Sequence, residues 1–96
     1  MATIVSNDKN FKVIKLSFND RINLGWGDIC MHCNEVFTNN MYYVAVLNDI
    51  MCKKCYEEWY KTAINYPEDR NIEDNLFRNV LDRLDNININ EYVEDI

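Results

Sequence analysis

Two Cys-x-x-Cys pairs set eighteen residues apart, Cys30-Met31-His32-Cys33 and Cys52-Lys53-Lys54-Cys55, constrain this chain more than any other feature. The spacing fits the C-x₂-C-x₁₅₋₂₀-C-x₂-C pattern of zinc sites. Two intervening residues let a tight turn aim both sulfurs at one ion. Two such turns complete a tetrahedron with Zn–S distances of about 2.3 Å and leave no open position. Spacing alone also admits iron in a Cys₄ site. A disulfide framework would need an oxidising compartment, and a thioredoxin-like redox pair would need a βαβ setting, whereas the first pair follows a loop holding Gly25 and Gly27. Cys30, Cys33, Cys52 and Cys55 are therefore the expected metal ligands, with Zn²⁺ as the expected cofactor.

A chain of this length needs such a staple. With 96 residues, 48% hydrophobic and 27% charged, it reads as one small globular domain. Such a domain buries only about 60% of the surface its unfolded chain exposes. No stretch approaches the roughly 18 apolar residues of a membrane span, and the first residues lack the basic start and apolar run of a signal peptide. The expectation is a cytoplasmic protein with no membrane partner. Fifteen Asn and ten Ile against two Gly and one Pro suit an AT-rich genome, which makes a bacterial or phage accessory protein the expected context.

The charge is polarised along the chain. Residues 1 to 66 hold seven basic and seven acidic side chains, and residues 67 to 96 hold three and nine, so the whole net charge of −6 lies in the last thirty residues. Four zinc-bound thiolates would bring the total to about −8. That field opposes nucleic acid phosphates and favours a basic protein partner.

Hydrophobic patterning gives four pieces. Residues 11 to 18 alternate as a strand does, with a change of phase near Ile14 that indicates a bulge or burial on both faces. Residues 19 to 28 read as a connection. Val36 to Thr38 and Met41 to Leu47 read as a hairpin turning at Asn39-Asn40, because Asn tolerates the positive φ of a type I′ turn. Residues 50 to 64 carry Tyr56, Trp59, Tyr60, Ala63 and Ile64 on one helical face, and Pro67 is expected to end that helix. A second helix is expected over 71 to 85, capped by Asn71, with an apolar stripe of Ile72, Leu76, Phe77, Val80, Leu81 and Leu84. This stripe would pack on the rest of the domain or on a second copy. Residues 86 to 96 form an acidic, partly ordered tail.

The order of Cys-x-x-Cys turn, β-hairpin and Cys-x-x-Cys at a helix start resembles the treble-clef zinc finger of the LIM-like and GATA-like Cys₄ class, over about residues 28 to 66. The resemblance implies an α+β fold: a zinc-stapled treble clef of Cys knuckle, β-hairpin and helix, flanked by an N-terminal strand and a C-terminal amphipathic helix. It implies metal ligation by Cys30, Cys33, Cys52 and Cys55. Treble clefs serve as DNA readers, protein adaptors and structural staples. This chain lacks the second ligand set of LIM proteins and the basic extension of GATA-type fingers.

The other candidates read as structural. His32 is expected as an exposed turn residue, Trp26 as a lid over the knuckle or core, and the tyrosines as core filling rather than a base-stacking platform. No Ser/His/Asp set, phosphate-cradling loop or open metal site occurs, so no catalysis is expected. The expectation is a protein-interaction module or regulator. An acidic inhibitor that mimics nucleic acid is the alternative, and a nucleic-acid-binding finger ranks after it.

Overall fold

The computed structural model describes residues 2 to 84 and the backbone of 87 to 93. Strands β1 (Ala2–Ser6), β2 (Val13–Leu16), β3 (Met41–Val44), β4 (Asp49–Met51) and β5 (Ile87–Val93) form one sheet in the order β4-β3-β2-β1-β5. Pairing is antiparallel throughout except for β1 with β5, which is parallel. Three helices complete this α+β domain: α1 (Phe18–Asn23), α2 (Lys53–Thr62) and α3 (Arg70–Arg83).

Strand β2 explains its own irregular alternation. Its ladders to β1 and β3 run without interruption through Ile14, so there is no bulge there. Val13, Ile14 and Leu16 are all buried, because a central strand covered on both faces has no side to give to water. On one face Tyr42 of β3 stacks on Tyr56 of α2, with ring centroids 4.6 Å apart and planes 5° from parallel. On the other face Trp26 leans over Tyr43 at 5.3 Å.

Several boundaries differ from the sequence expectation, each for a local reason. The N-terminal strand is a hairpin of two strands, β1 and β2. Asn7 closes it by donating its amide to Phe11 O and accepting from Phe11 N–H, while Asn10 takes a left-handed φ of 61°. Within the expected connection lies α1, held by a capping box: Ser17 Oγ accepts from Asp20 N–H, and the Asp20 carboxylate accepts from Ser17 N–H.

The expected hairpin turn at Asn39-Asn40 is not formed. Val36 bridges Ile29 instead, and the real hairpin joins β3 to β4 through residues 45 to 48, where Asn48 adopts the positive φ of 52°. The hydroxyl of Tyr43 holds that Asn by donating to its Oδ1 at 2.8 Å.

Helix α2 stops at Thr62, before Pro67. Lys9 Nζ donates to the carbonyls of Tyr60 and Ala63, which satisfies the last turn from outside the helix. Pro67 opens a 3₁₀ turn, Pro67–Asp69, that runs directly into α3, so the second helix begins at Arg70 rather than at an Asn71 cap. Val80 and Leu84 of α3 are buried and Leu76, Phe77 and Leu81 pack against the core, but Ile72 is 62% exposed. Most of the apolar stripe thus packs on the rest of the domain. Of the expected acidic tail, Ile87–Val93 forms β5, while Asn86 and residues 94 to 96 lie outside the described residues.

Candidate metal centre

The first Cys pair sits in a short ribbon. Ile29 bridges Val36, Phe37 N–H donates to Asp28 O at 2.7 Å, and Cys30 N–H donates to Glu35 O at 2.9 Å. Asn34 reverses the chain in the left-handed region, with φ 62°, and donates its N–H to Cys30 O. That turn curls the segment so that Cys30 and Cys33 face the same space. The ribbon is tied to the sheet by Met31 N–H, which donates to Ile50 O of β4 at 3.0 Å.

The second pair sits where β4 meets α2. Cys52 is the N-cap of the helix, in extended conformation with φ −70° and ψ 166°, and Cys55 lies in the first turn. Unpaired N–H groups and the positive end of the helix dipole favour thiolates at this position. Lys53 adds positive charge, although it is shared with Glu57 at 3.9 Å.

Together the ribbon and the helix start bring the four sulfurs within 4.8 Å of one another. A tetrahedron with bonds of about 2.3 Å has edges of about 3.8 Å, so small side-chain adjustments close the cluster on an ion. The four cysteines are free thiols, and the arrangement can hold a metal ion. Cys30 and Cys52 are buried, Cys55 is half-buried and Cys33 is exposed.

The electrostatics of the thiols are unequal. Burial opposes ionisation of Cys30, but N–H groups of Cys33, Cys52 and His32 point at its sulfur and bring its pKa down to about 6. Burial and the three neighbouring sulfurs push Cys55 up, since four thiols this close cannot all ionise without a cation among them. Four sulfurs gathered this closely, with Cys30 favoured as a thiolate, are donors that a metal ion can bind.

Other singled-out residues fall outside the cluster. His32 is an exposed turn residue whose Nε2 lies 3.6 Å from the Asp49 carboxylate. Tyr42, Tyr43, Tyr56 and Tyr60 are buried in the core, so they present no platform to solvent, and Tyr66 stands half exposed. Lys9 is committed to the end of α2, and Lys12 lies over the Phe77 ring. They form no basic patch.

Two buried charged residues that sequence reasoning does not find tie the elements together. Arg21, buried, donates from Nη1 to Leu16 O at 3.0 Å and from Nη2 to Phe37 O at 2.9 Å, tying α1 and β2 to the base of the Cys30 ribbon. Glu73, also buried, accepts from Lys12 N–H at 3.0 Å and ties α3 to the sheet. Partners 16 and 61 residues apart leave no local signal. Among the described residues no helix is long and apolar enough to cross a membrane. No protein-family model matches this chain, and no curated protein or solved structure matches it either.

Proposed function

We propose that the chain is a zinc-stapled, treble-clef protein-interaction module without catalytic activity. The observation that carries the reading is the closed cluster of Cys30, Cys33, Cys52 and Cys55 at the junction of ribbon, hairpin and helix. Four protein thiolates fill a tetrahedral shell, which leaves zinc no position for water or substrate. Its role there is to supply folding energy to a small domain.

The surface supports an adaptor more than a nucleic acid reader. The net charge of −6 opposes phosphates, and the lysines nearest the N-terminal hairpin are engaged internally. Three exposed apolar side chains, Ile29, Met31 and Val36, lie on the Cys30 ribbon.

The test is cross-linking in source cells with the tagged chain and with the Cys30→Ser/Cys52→Ser variant. The reading expects a protein partner of fixed stoichiometry, resistant to nuclease and lost in the variant. Recovery of nucleic acid alone would overturn it. Displacement of the partner by duplex DNA would assign the chain to the class of nucleic acid mimics.

A further inference from the structure

We propose that Cys33 and Cys55 form an oxidant-sensitive edge of the cysteine cluster. Hydrogen peroxide joins these two sulfurs in a disulfide, which releases the metal and keeps the ribbon tied to α2. This goes beyond the interaction-module reading and rests only on its metal site. The four sulfurs stand unequally to solvent. Cys30 is 0% and Cys52 5% exposed, whereas Cys55 is half-buried and Cys33 is exposed. Cys33, Cys52 and Cys55 line a cavity of about 390 Å³, and buried Cys30 does not. A water molecule's share of the liquid is about 30 Å³, so a peroxide has ample room to reach the sulfurs there.

Bonding and access together separate an inner pair from an outer one. The sulfur of Cys30 accepts the Cys52 N–H at 3.3 Å, and both residues are buried at the junction of ribbon and helix. Cys52 is further held as the N-cap of α2, where its C=O accepts from Tyr56 N–H at 2.9 Å. Cys33 and Cys55 are the two ligands that reach solvent, one from each Cys-x-x-Cys pair. All four sulfurs lie within 4.8 Å of one another, so rotation about side-chain bonds brings the outer two to the S–S length of about 2.05 Å.

The chemistry balances on the two sulfurs and one peroxide. The Cys33 thiolate attacks a peroxide oxygen: an S–O bond forms, the O–O bond breaks, and the departing hydroxide takes up a proton. Cys33 is then a sulfenic acid. The Cys55 thiolate attacks that sulfur, an S–S bond forms, and the S–O bond breaks to release a second hydroxide that leaves as water. Two sulfurs have given up two electrons, and the peroxide has become two waters. Disulfide sulfurs are no longer thiolate ligands, so the shell of four falls to two and the ion is lost. Ligation slows attack on every sulfur, and exposure makes the slowed attack unequal.

The product retains a staple. A Cys33–Cys55 disulfide joins the same ribbon and the same helix start that the metal joins. The bond from Met31 N–H to Ile50 O holds the ribbon on β4 without any ion. Closing the loop also restricts the unfolded chain. Oxidation therefore strips the metal from a chain that stays folded, whereas a chelator, which leaves no cross-link, unfolds it. Thiol reductants reopen the bond.

The test treats the zinc-loaded full chain with a small molar excess of hydrogen peroxide. A chromogenic indicator reads released zinc, and the thermal melt reads folding. Free thiols are then alkylated, and cleavage after Glu35, Lys53 and Lys54 separates the segment holding Cys30 and Cys33 from Cys52 and from Cys55 for mass spectrometry. Fragmentation distinguishes Cys30 from Cys33. The expected result is complete loss of zinc, a disulfide between Cys33 and Cys55, alkylated Cys30 and Cys52, and a cooperative melt that persists without metal. Dithiothreitol with added zinc should restore the starting state.

A disulfide within either Cys-x-x-Cys pair, any linkage that includes Cys30, or a sulfinic or sulfonic acid at Cys33 without a disulfide would overturn the proposal. So would an oxidised chain without a cooperative melt. Zinc retained through the same treatment overturns the proposal alone and leaves the zinc site standing. A chain that purifies folded and free of metal overturns the zinc reading and, with no ion to release, the proposal as well.

Discussion

The backbone N–H of Cys52 donates to the sulfur of Cys30 across 3.3 Å, joining the N-cap of α2 to the ribbon that carries the first Cys pair. One bond thus fixes the distance between the two halves of the ligand set, and it does so with a donor that favours thiolate over thiol. The cysteine cluster and the start of the helix are therefore one structural unit.

Replacing a ligand should break that unit. Cys52→Ser should lose metal and most cooperative unfolding together, because structural zinc contributes folding energy directly. A parallel loss at exposed Cys33, in Cys33→Ser, would show that ligation rather than burial is responsible. Metal content and the thermal melt of each variant check this.

The aromatic and apolar core should respond as packed interior. Leu84→Ala, at a buried position on α3, should cost about 2 to 5 kcal/mol, whereas Ile72→Ala on the exposed side of the same helix should stay within about 0.5 kcal/mol. Urea unfolding of the two variants measures the contrast.

Arg21 predicts a polar counterpart. Arg21→Met should strand the carbonyls of Leu16 and Phe37 without their donor and cost about 2 to 4 kcal/mol. Arg21→Lys should recover little of it, because one ammonium cannot reproduce the fork of a guanidinium. The same denaturant series reads both.

How much of this was legible follows the range of each interaction. The clustering of the four cysteines, the Tyr56, Trp59 and Tyr60 face of α2 and the apolar side of α3 are written in short spacings, whereas Ile64, expected on the α2 face, lies beyond the end of the helix and is exposed. The capping box at Ser17 and Asp20 is equally local, but the Gly25 and Gly27 that follow make the segment read as a connection. The turn went to Asn48 rather than Asn39-Asn40 because the Tyr43 hydroxyl and the β3–β4 register select it, and neither is visible locally. Lys9 on the end of α2 and Glu73 on Lys12 bridge more than fifty residues, so only the folded chain reveals them.

Alkaline pH should weaken the fold through Tyr43. Burial first, and then Asp49, push its pKa from 10 up to about 12. Below pH 10 the folded and unfolded states are both neutral at this group and its contribution is complete. Between pH 10 and about 12 only the unfolded state ionises, so stability falls as pH rises, by about 2 to 3 kcal/mol. Tyr43→Phe should flatten that slope while losing about 1 kcal/mol at neutral pH with the bond to Asn48.

Elemental analysis of the chain purified without added metal or chelator tests the central claim most directly. The account predicts one Zn²⁺ per chain, four thiols shielded from thiol reagents, and unfolding when a strong chelator removes the ion. A natively folded chain with less than about half an equivalent of metal, whose melt a chelator leaves unchanged, would contradict it.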